Sequence, residues 1–215
     1  MASATSEPDA LVQDAVVPDA AAGAQHLAPT VVRSVKILVV GAYGVGKTTL
    51  IGAVSEIPIL STEETITTAS VGVDPRLGAK STTTVAMDFG RVTVGGETAL
   101  YLFGTPGQRR FWDLWVGLAD GAVGVLLLVD TRRLEDSFEV LDQLEEHTRL
   151  PVAVVVNEFP GAPAHAAEDV LRALDLPLDT PLVSGDLRGR AQAVEALRAL
   201  VAHAVRLRSA ESSAA

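Results

Sequence analysis

Eight consecutive residues carry the clearest chemistry in the sequence: Gly41-Ala-Tyr43-Gly44-Val45-Gly46-Lys47-Thr48, with Thr49 directly after them. Glycine at the first and sixth positions, then lysine and a hydroxyl residue, is the full pattern of a phosphate-binding P-loop. Glycines let the backbone turn and aim successive N–H groups at one anion. Lys47 adds a point charge for the outer phosphates, and Thr48 offers a hydroxyl to magnesium. A helix starting near Lys47 would direct its positive end at the same anion. By chance, such a match arises in about one random chain in a hundred of this length. The surrounding pattern lowers that further, because an apolar run precedes the loop and a helical pattern follows it. The residues therefore imply a site for a nucleoside triphosphate with magnesium.

Such a loop needs a buried strand before it and a helix after it, and the chain supplies both repeatedly. Val35–Val40 is apolar except for Lys36, and the loop follows directly. Residues 85–94 and 99–103 flank Gly95-Gly96 and read as a hairpin. Residues 123–129 and 152–156 are apolar runs rich in valine, as expected of strands covered on both faces, and residues 182–183 form a short last strand. Helical patterns fall at 47–55, 109–118, 132–148, 166–174 and 190–207. Alternation of this kind predicts a three-layer α/β fold: a mostly parallel six-stranded sheet, one antiparallel edge strand from the hairpin, and helices on both faces. The segment from about 56 to 81 shows no clear periodicity.

Residues 1–33 are rich in Ala, Pro, Asp and Ser and read as a disordered tail; 209–215 read as a frayed, disordered end. The domain between them is 34–208. With 27 acidic and 17 basic residues the net charge is -10, which argues against nucleic acid or an anionic membrane as a general partner. Cysteine is absent, so disulfides, thiolate metal sites and thiol catalysis are excluded. The four histidines, His26, His147, His165 and His203, form no ligand-spaced pair and read as surface or local residues. The longest apolar stretch, 122–129, is too short to span a bilayer. The expectation is a soluble cytoplasmic protein without a lipid anchor, recruited to a membrane only through partners.

Two further runs decide among P-loop proteins. Thr84-Val-Ala-Met-Asp-Phe-Gly90 leads into the hairpin, and Phe103-Gly-Thr-Pro-Gly107-Gln108 follows it. A threonine before one strand and Gly-Gln after the next resemble Ras-type small GTPases over about residues 34–208. The wording of Lys80–Gly90 and Phe103–Gln108 is most similar to bacterial Ras-like proteins of actinomycete conservon clusters, relatives of the myxobacterial gliding-motility GTPase. The resemblance implies GTP or GDP with Mg2+ as ligands. It implies that Thr84 places its hydroxyl on magnesium beside Thr48, that Gly107 donates its N–H to the γ-phosphate, and that Gln108 orients the attacking water, with Lys47 as the third catalytic residue. It also implies a cytoplasmic signalling switch that works with a roadblock-type regulator and a sensor-kinase complex.

The sequence departs from that family in four places. The aspartate expected before Gly107-Gln108 is Gly104, leaving Asp88 on the neighbouring strand as a nearby carboxylate whose direction the sequence does not fix. The guanine signature Asn-Lys-x-Asp reads Asn157-Glu158-Phe159-Pro160, so the acceptor for the base is missing. Glu158, or Asp186 of Ser184-Gly185-Asp186, is a candidate replacement. Tyr43 stands where glycine is common. Finally, Arg109-Arg-Phe-Trp-Asp-Leu-Trp115 reads either as helix packing or as a partner surface, with Arg109 or Arg110 as candidate internal arginine finger. Asp130 reads as a helix N-cap. Three functions follow: a slow GTPase switch, a nucleotide-binding scaffold that barely hydrolyses, and, weakest, a metabolic P-loop kinase or ATPase.

Overall fold

The computed structural model of the chain describes residues 26–67, 82–106 and 117–214. Its strands are β1 (Arg33–Val40), β2 (Leu60–Thr67), β3 (Thr82–Val94), β4 (Thr98–Gly104), β5 (Ala122–Val129), β6 (Val152–Asn157) and β7 (Leu182–Gly185). The helices among the described residues are α1 (Lys47–Val54), α2 (Phe138–His147), α3 (Ala167–Ala173) and α4 (Arg190–Ala214), with a 3-10 segment at Thr131–Ser137. The strands form one sheet in the order β2-β3-β4-β1-β5-β6-β7.

Alternation within each strand divides the core into two layers, because successive side chains leave opposite faces of a sheet. Ile37, Val39, Leu126, Leu128 and Val155 face α1 and α4, meeting Leu50, Ile51, Val54, Ala196 and Leu200. Leu38, Val40, Val125, Leu127 and Val154 face the other way, onto Val140, Leu141 and Leu144 of α2 and Val170 and Leu171 of α3. Burial on both faces is what made these strands read as continuous apolar runs. The three-layer fold expected from the sequence is the one observed.

The sheet differs from expectation at one edge. β2 pairs antiparallel with β3 from Leu60↔Phe89 to Thr67↔Thr82, adding a seventh strand within the segment that showed no periodicity. β3 pairs antiparallel with β4, while β1, β4, β5, β6 and β7 are mutually parallel. So β3 alone runs against the others, and it lies second from the edge. The sequence of β2, Leu-Ser-Thr-Glu-Glu-Thr-Ile-Thr, has no apolar alternation, and its backbone pairing with β3 defines it.

Described structure extends past both ends of 34–208. Residues 26–32, expected to belong to the tail, lie against the β3–β4 hairpin: Thr30 Oγ1 donates to Gly96 O at 2.7 Å, and Val32 N donates to Glu97 O at 2.9 Å. Residues 1–25 lie outside the described residues. At the other end α4 continues to Ala214, past the frayed end expected from 209. His203 is buried in α4, with its ring 3.2 Å from Arg206 Nη2, a local contact within the helix.

Leu200 is the α4 side chain that seals the first layer, with 0% exposure. Leu200→Ala is expected to cost about 2–5 kcal/mol, a fall in Tm on the order of 10 °C, read by thermal unfolding. A shift under about 2 °C would show that α4 does not hold the sheet.

Candidate functional site

β1 ends in the middle of the sheet, and the loop 41–46 carries the chain from it into α1. Gly41 has φ 145°, and a Cβ there would lie 2.6 Å from Leu128 O of β5. Gly46 has φ 110°, and a Cβ there would lie 2.6 Å from Asn157 Nδ2. Both positions therefore need glycine for conformation and for space. Gly46 is the N-cap of α1 and supplies no side-chain acceptor, so the first-turn N–H groups face outward without a protein cap.

Lys47 folds back over this loop, and its Nζ donates to Gly41 O and Ala42 O, both at 2.8 Å. Burial pushes its pKa down to about 8, partly opposed by the charge of Asp88. Thr48 Oγ1 donates to Asp88 Oδ2 at 2.5 Å. Asp88 thus points into the site, and the question left open by the sequence is answered. It is paired in register with Gly104, the position that lacks the expected carboxylate. A Cβ on Gly104 would stand 3.1 Å from Asp88 Cβ and 2.9 Å from Ile51 Cδ1. The Asp88 carboxylate thus occupies the space beside residue 104.

A hydroxyl and a carboxylate side by side are hard oxygen donors of the kind magnesium takes together with phosphate oxygens and water. Among the described residues, no three His, Cys, Asp or Glu side chains group as an all-protein metal cage. Thr48 and Asp88 are therefore the residues that fit magnesium here.

The opposite end of the loop is tied to β6 and β7. Asn157 is buried, donates from Nδ2 to Val45 O at 3.0 Å, and accepts at Oδ1 from Leu187 N at 3.4 Å. Glu158 N donates to Gly185 O at 3.0 Å. The structure thus brings Asn157, the P-loop and Ser184–Asp186 together, as the sequence implied. Glu158 and Ser184 are exposed, and Thr49 stands exposed on the first turn of α1. Asp186 is engaged by Arg188, with Nε to Oδ1 at 2.9 Å and Nη2 to Oδ2 at 2.6 Å. Those hydrogen bonds hold its carboxyl at about 2.

Between these two ends sits a cluster that sequence reading took only as a helix cap. Asp130 is 3% exposed, and it does cap the 3-10 segment by accepting from Arg132 N at 3.0 Å. It also accepts from Arg132 Nε and Nη2 at 2.9 and 2.7 Å, and from Arg133 Nε at 3.5 Å. Hydrogen bonding from Arg132 holds the Asp130 carboxyl below its ordinary range and raises the guanidinium in turn. Arg132 lies 3.9 Å over the ring of Phe159, and Arg133 Nη2 donates to Tyr43 O at 3.2 Å. An acidic residue closing a buried strand just before two arginines was the available signal.

Other expected residues lie beyond what is described. Thr84 is in β3, opposite Thr65, with its side chain outside the described residues. Gly107, Gln108 and the run Arg109–Trp115 fall wholly outside them. No described helix is long and apolar enough to cross a membrane.

The chain as a whole is similar to several known proteins. A family described as conserved hypothetical ATP binding protein matches residues 39–207. ADP-ribosylation factor-like protein 3 of Chlamydomonas reinhardtii is 30% identical over 66% of this chain and 72% of its own length. Ras-related protein Rab-18 of Lymnaea stagnalis is 33% identical over 52% of this chain, which spans 48% of that relative. The G domain of the T. maritima FeoB iron transporter aligns with a TM-score of 0.49 at 19% identity, covering 77% of this chain and 99% of that one.

The Asp88–Gly104 pair gives a direct test of the site's packing. Gly104→Asp is expected to destabilise the protein by about 1–3 kcal/mol, because the added side chain meets Ile51 and a second carboxylate. Adding Asp88→Gly should recover most of that loss in thermal unfolding. Additive losses in the double variant would show that the two positions do not share one space.

Proposed function

This chain belongs to the P-loop GTPase family, and on that premise we propose that it is a small GTP-binding switch that hydrolyses GTP slowly. The observation that carries the reading is the loop from Gly41 to Thr48, held open between Asp88 at its magnesium end and Asn157 at its base end. The proposed phosphate ligands are the N–H groups of Tyr43, Gly44, Val45, Gly46, Lys47, Thr48 and Thr49, with the ammonium of Lys47. Lys47 now rests on two loop carbonyls and is free to exchange them for phosphate oxygens. Magnesium, when bound, would neutralise charge on the β- and γ-phosphates, held by Thr48 with Asp88, and by Thr84 in the family's arrangement.

Gly107 and Gln108 are proposed as the γ-phosphate sensor and the residue that orients water. Attack of that water on the γ-phosphorus releases inorganic phosphate and leaves GDP. Loss of the γ-phosphate would release the segments around Thr84 and Gln108, changing the surface offered to partners. Guanine preference is supported by the small-GTPase relatives, whereas the matched family is described by ATP. Asn157 and the backbone of Ser184–Asp186 are the proposed base contacts. Pro160 offers no side-chain acceptor, so a carboxylate for the base must come from Glu158 or from Asp186 released by Arg188.

The bacterial signalling role is proposed from the motif resemblance alone. Its expected partners are a roadblock-type regulator and a sensor-kinase complex, which would also bring the chain to the membrane. A second reading, a scaffold that binds nucleotide and scarcely hydrolyses it, is favoured by Tyr43. Its side chain is 74% exposed at the mouth of the loop, where a γ-phosphate and any inserted catalytic group must pass.

The test is to purify the protein, identify nucleotide released on denaturation, and follow phosphate release from GTP and ATP with magnesium. Bound guanine nucleotide with slow release supports the switch; guanine binding without turnover, even with a regulator, supports the scaffold. ATP preference with transfer to a small acceptor would overturn both. Lys47→Ala should weaken triphosphate binding about 10- to 100-fold, the loss expected for a charge-assisted hydrogen bond. Unchanged affinity would remove the P-loop from the argument.

A further inference from the structure

We propose that Asp130, through Arg133 and Arg132, is a positioning residue that holds the phosphate loop and the base loop in one fixed relation. The inference rests on the nucleotide-binding reading. It concerns how the site keeps its ligand, not which base it selects.

Asp130 closes β5, the strand that runs beside β1, and so its carboxylate sits between the loop after β1 and the loop after β6. The residue is almost fully buried, yet its two partners are not: the Arg132 and Arg133 side chains are 40% and 44% exposed. A buried carboxylate must be paired, and this one is paired to two arginines that leave it in different directions. Arg132 takes both oxygens and lays its guanidinium plane on Phe159. Phe159 lies two residues beyond Asn157, in the loop where the base is expected. Arg133 turns the other way. Its backbone leaves helical geometry, with φ -146° and ψ 53°, which carries the guanidinium to Tyr43 O and within 4.0 Å of the Cβ position of Gly44. Asp136 supports it at 3.2 Å from the far side.

Each contact supplies what its loop lacks. The carbonyl of Tyr43 faces outward from a loop whose N–H groups must converge inward, and Arg133 satisfies it without entering the phosphate cradle. Glu158, beside Asn157 in the base loop, is acidic. Arg133 brings a cation to the P-loop backbone from the loop after β5. Because one carboxylate orients both arginines, its loss releases both loops, whereas loss of either arginine releases only the loop that arginine contacts.

The experiment compares two probes on the full chain: inorganic tripolyphosphate with magnesium, which engages only the phosphate loop, and mant-GDP and mant-ADP, which engage both loops. Arg133→Ala is expected to weaken tripolyphosphate and labelled nucleotide by the same factor, about five- to tenfold, with Arg133→Lys recovering most of it because an ammonium also donates to Tyr43 O. Arg132→Ala should speed nucleotide release and leave tripolyphosphate unchanged. Asp130→Asn keeps the shape and the cap but loses the charge, and should weaken both probes. Its effect with Arg133→Ala should be less than additive. A mere structural role would lower Tm and both affinities in every variant without the split. That result, or unchanged tripolyphosphate affinity in Arg133→Ala, overturns the proposal alone. Failure of the unmodified protein to bind either probe overturns the nucleotide reading and this one with it.

Discussion

Everything at the functional edge depends on the parallel pairing of β1 with β4 on one side and β5 on the other. Parallel strands end on the same edge, so three carboxyl ends lie side by side: that of β1, which becomes the P-loop, that of β4, which leads toward Gly107, and that of β5, which delivers Asp130. The chain leaves β1 and returns on opposite sides of it, and this is the point where an open α/β sheet offers a crevice. β6 and β7, added beyond β5, place Asn157 and Gly185 at the same level. The antiparallel β3 then brings Asp88 to that edge from the other side. The site is therefore an outcome of strand order, and its residues come from six separate segments of the chain.

How much of this the sequence disclosed follows from how local each signal is. The P-loop is contiguous and its glycines are dictated by backbone geometry, so it was legible in full. The two-sided strands were legible because burial on both faces leaves an unbroken apolar run. β2 was not, because its pairing to β3 is made by backbone groups, which leave no trace in side-chain type. Asn157 was legible as the surviving part of a known signature, but its bonds to Val45 and Leu187 span distant segments. The inward direction of Asp88 depends on register with β4 and on the packing of Ile51, neither of which a single strand's sequence contains. Arg133 was hidden for a similar reason: it lies within the span 132–148 read as helical, and its own non-helical backbone redirects it.

The Asp88–Gly104 arrangement shows how a carboxylate can stand beside Thr48 although the motif position itself is glycine. What magnesium requires is an oxygen donor at a place, not an aspartate at a position in the chain. Cross-strand partners in an antiparallel pair stand close enough for one side chain to occupy the space the other would use. A carboxylate moved from one partner to the other keeps its reach to Thr48, provided the vacated position becomes small, and Gly104 is as small as a residue can be. At the base end the Asp186 carboxylate is paired with its own neighbour Arg188, which leaves Glu158 as the other candidate. The two departures from the family pattern are therefore unequal: at the first a carboxylate still stands beside the Thr48 hydroxyl, and at the second the Asp186 carboxylate is taken by Arg188.

Net charge gives the last step. A chain of charge -10 would repel a polyphosphate if charge acted over the whole surface. At physiological salt that field is screened within about 8 Å, and what remains is local. Locally the site holds Lys47, whose ammonium is disfavoured by burial and partly supported by the charge of Asp88. Loop carbonyls, which are only partial charges, now satisfy it. A phosphate oxygen carries more charge than a carbonyl and would relieve more of that cost, so the burial that weakens the free lysine strengthens its preference for an anion. Selectivity for a polyphosphate in an acidic protein thus comes from desolvating one cation and aiming uncapped N–H groups beside it, and overall charge has little part in it.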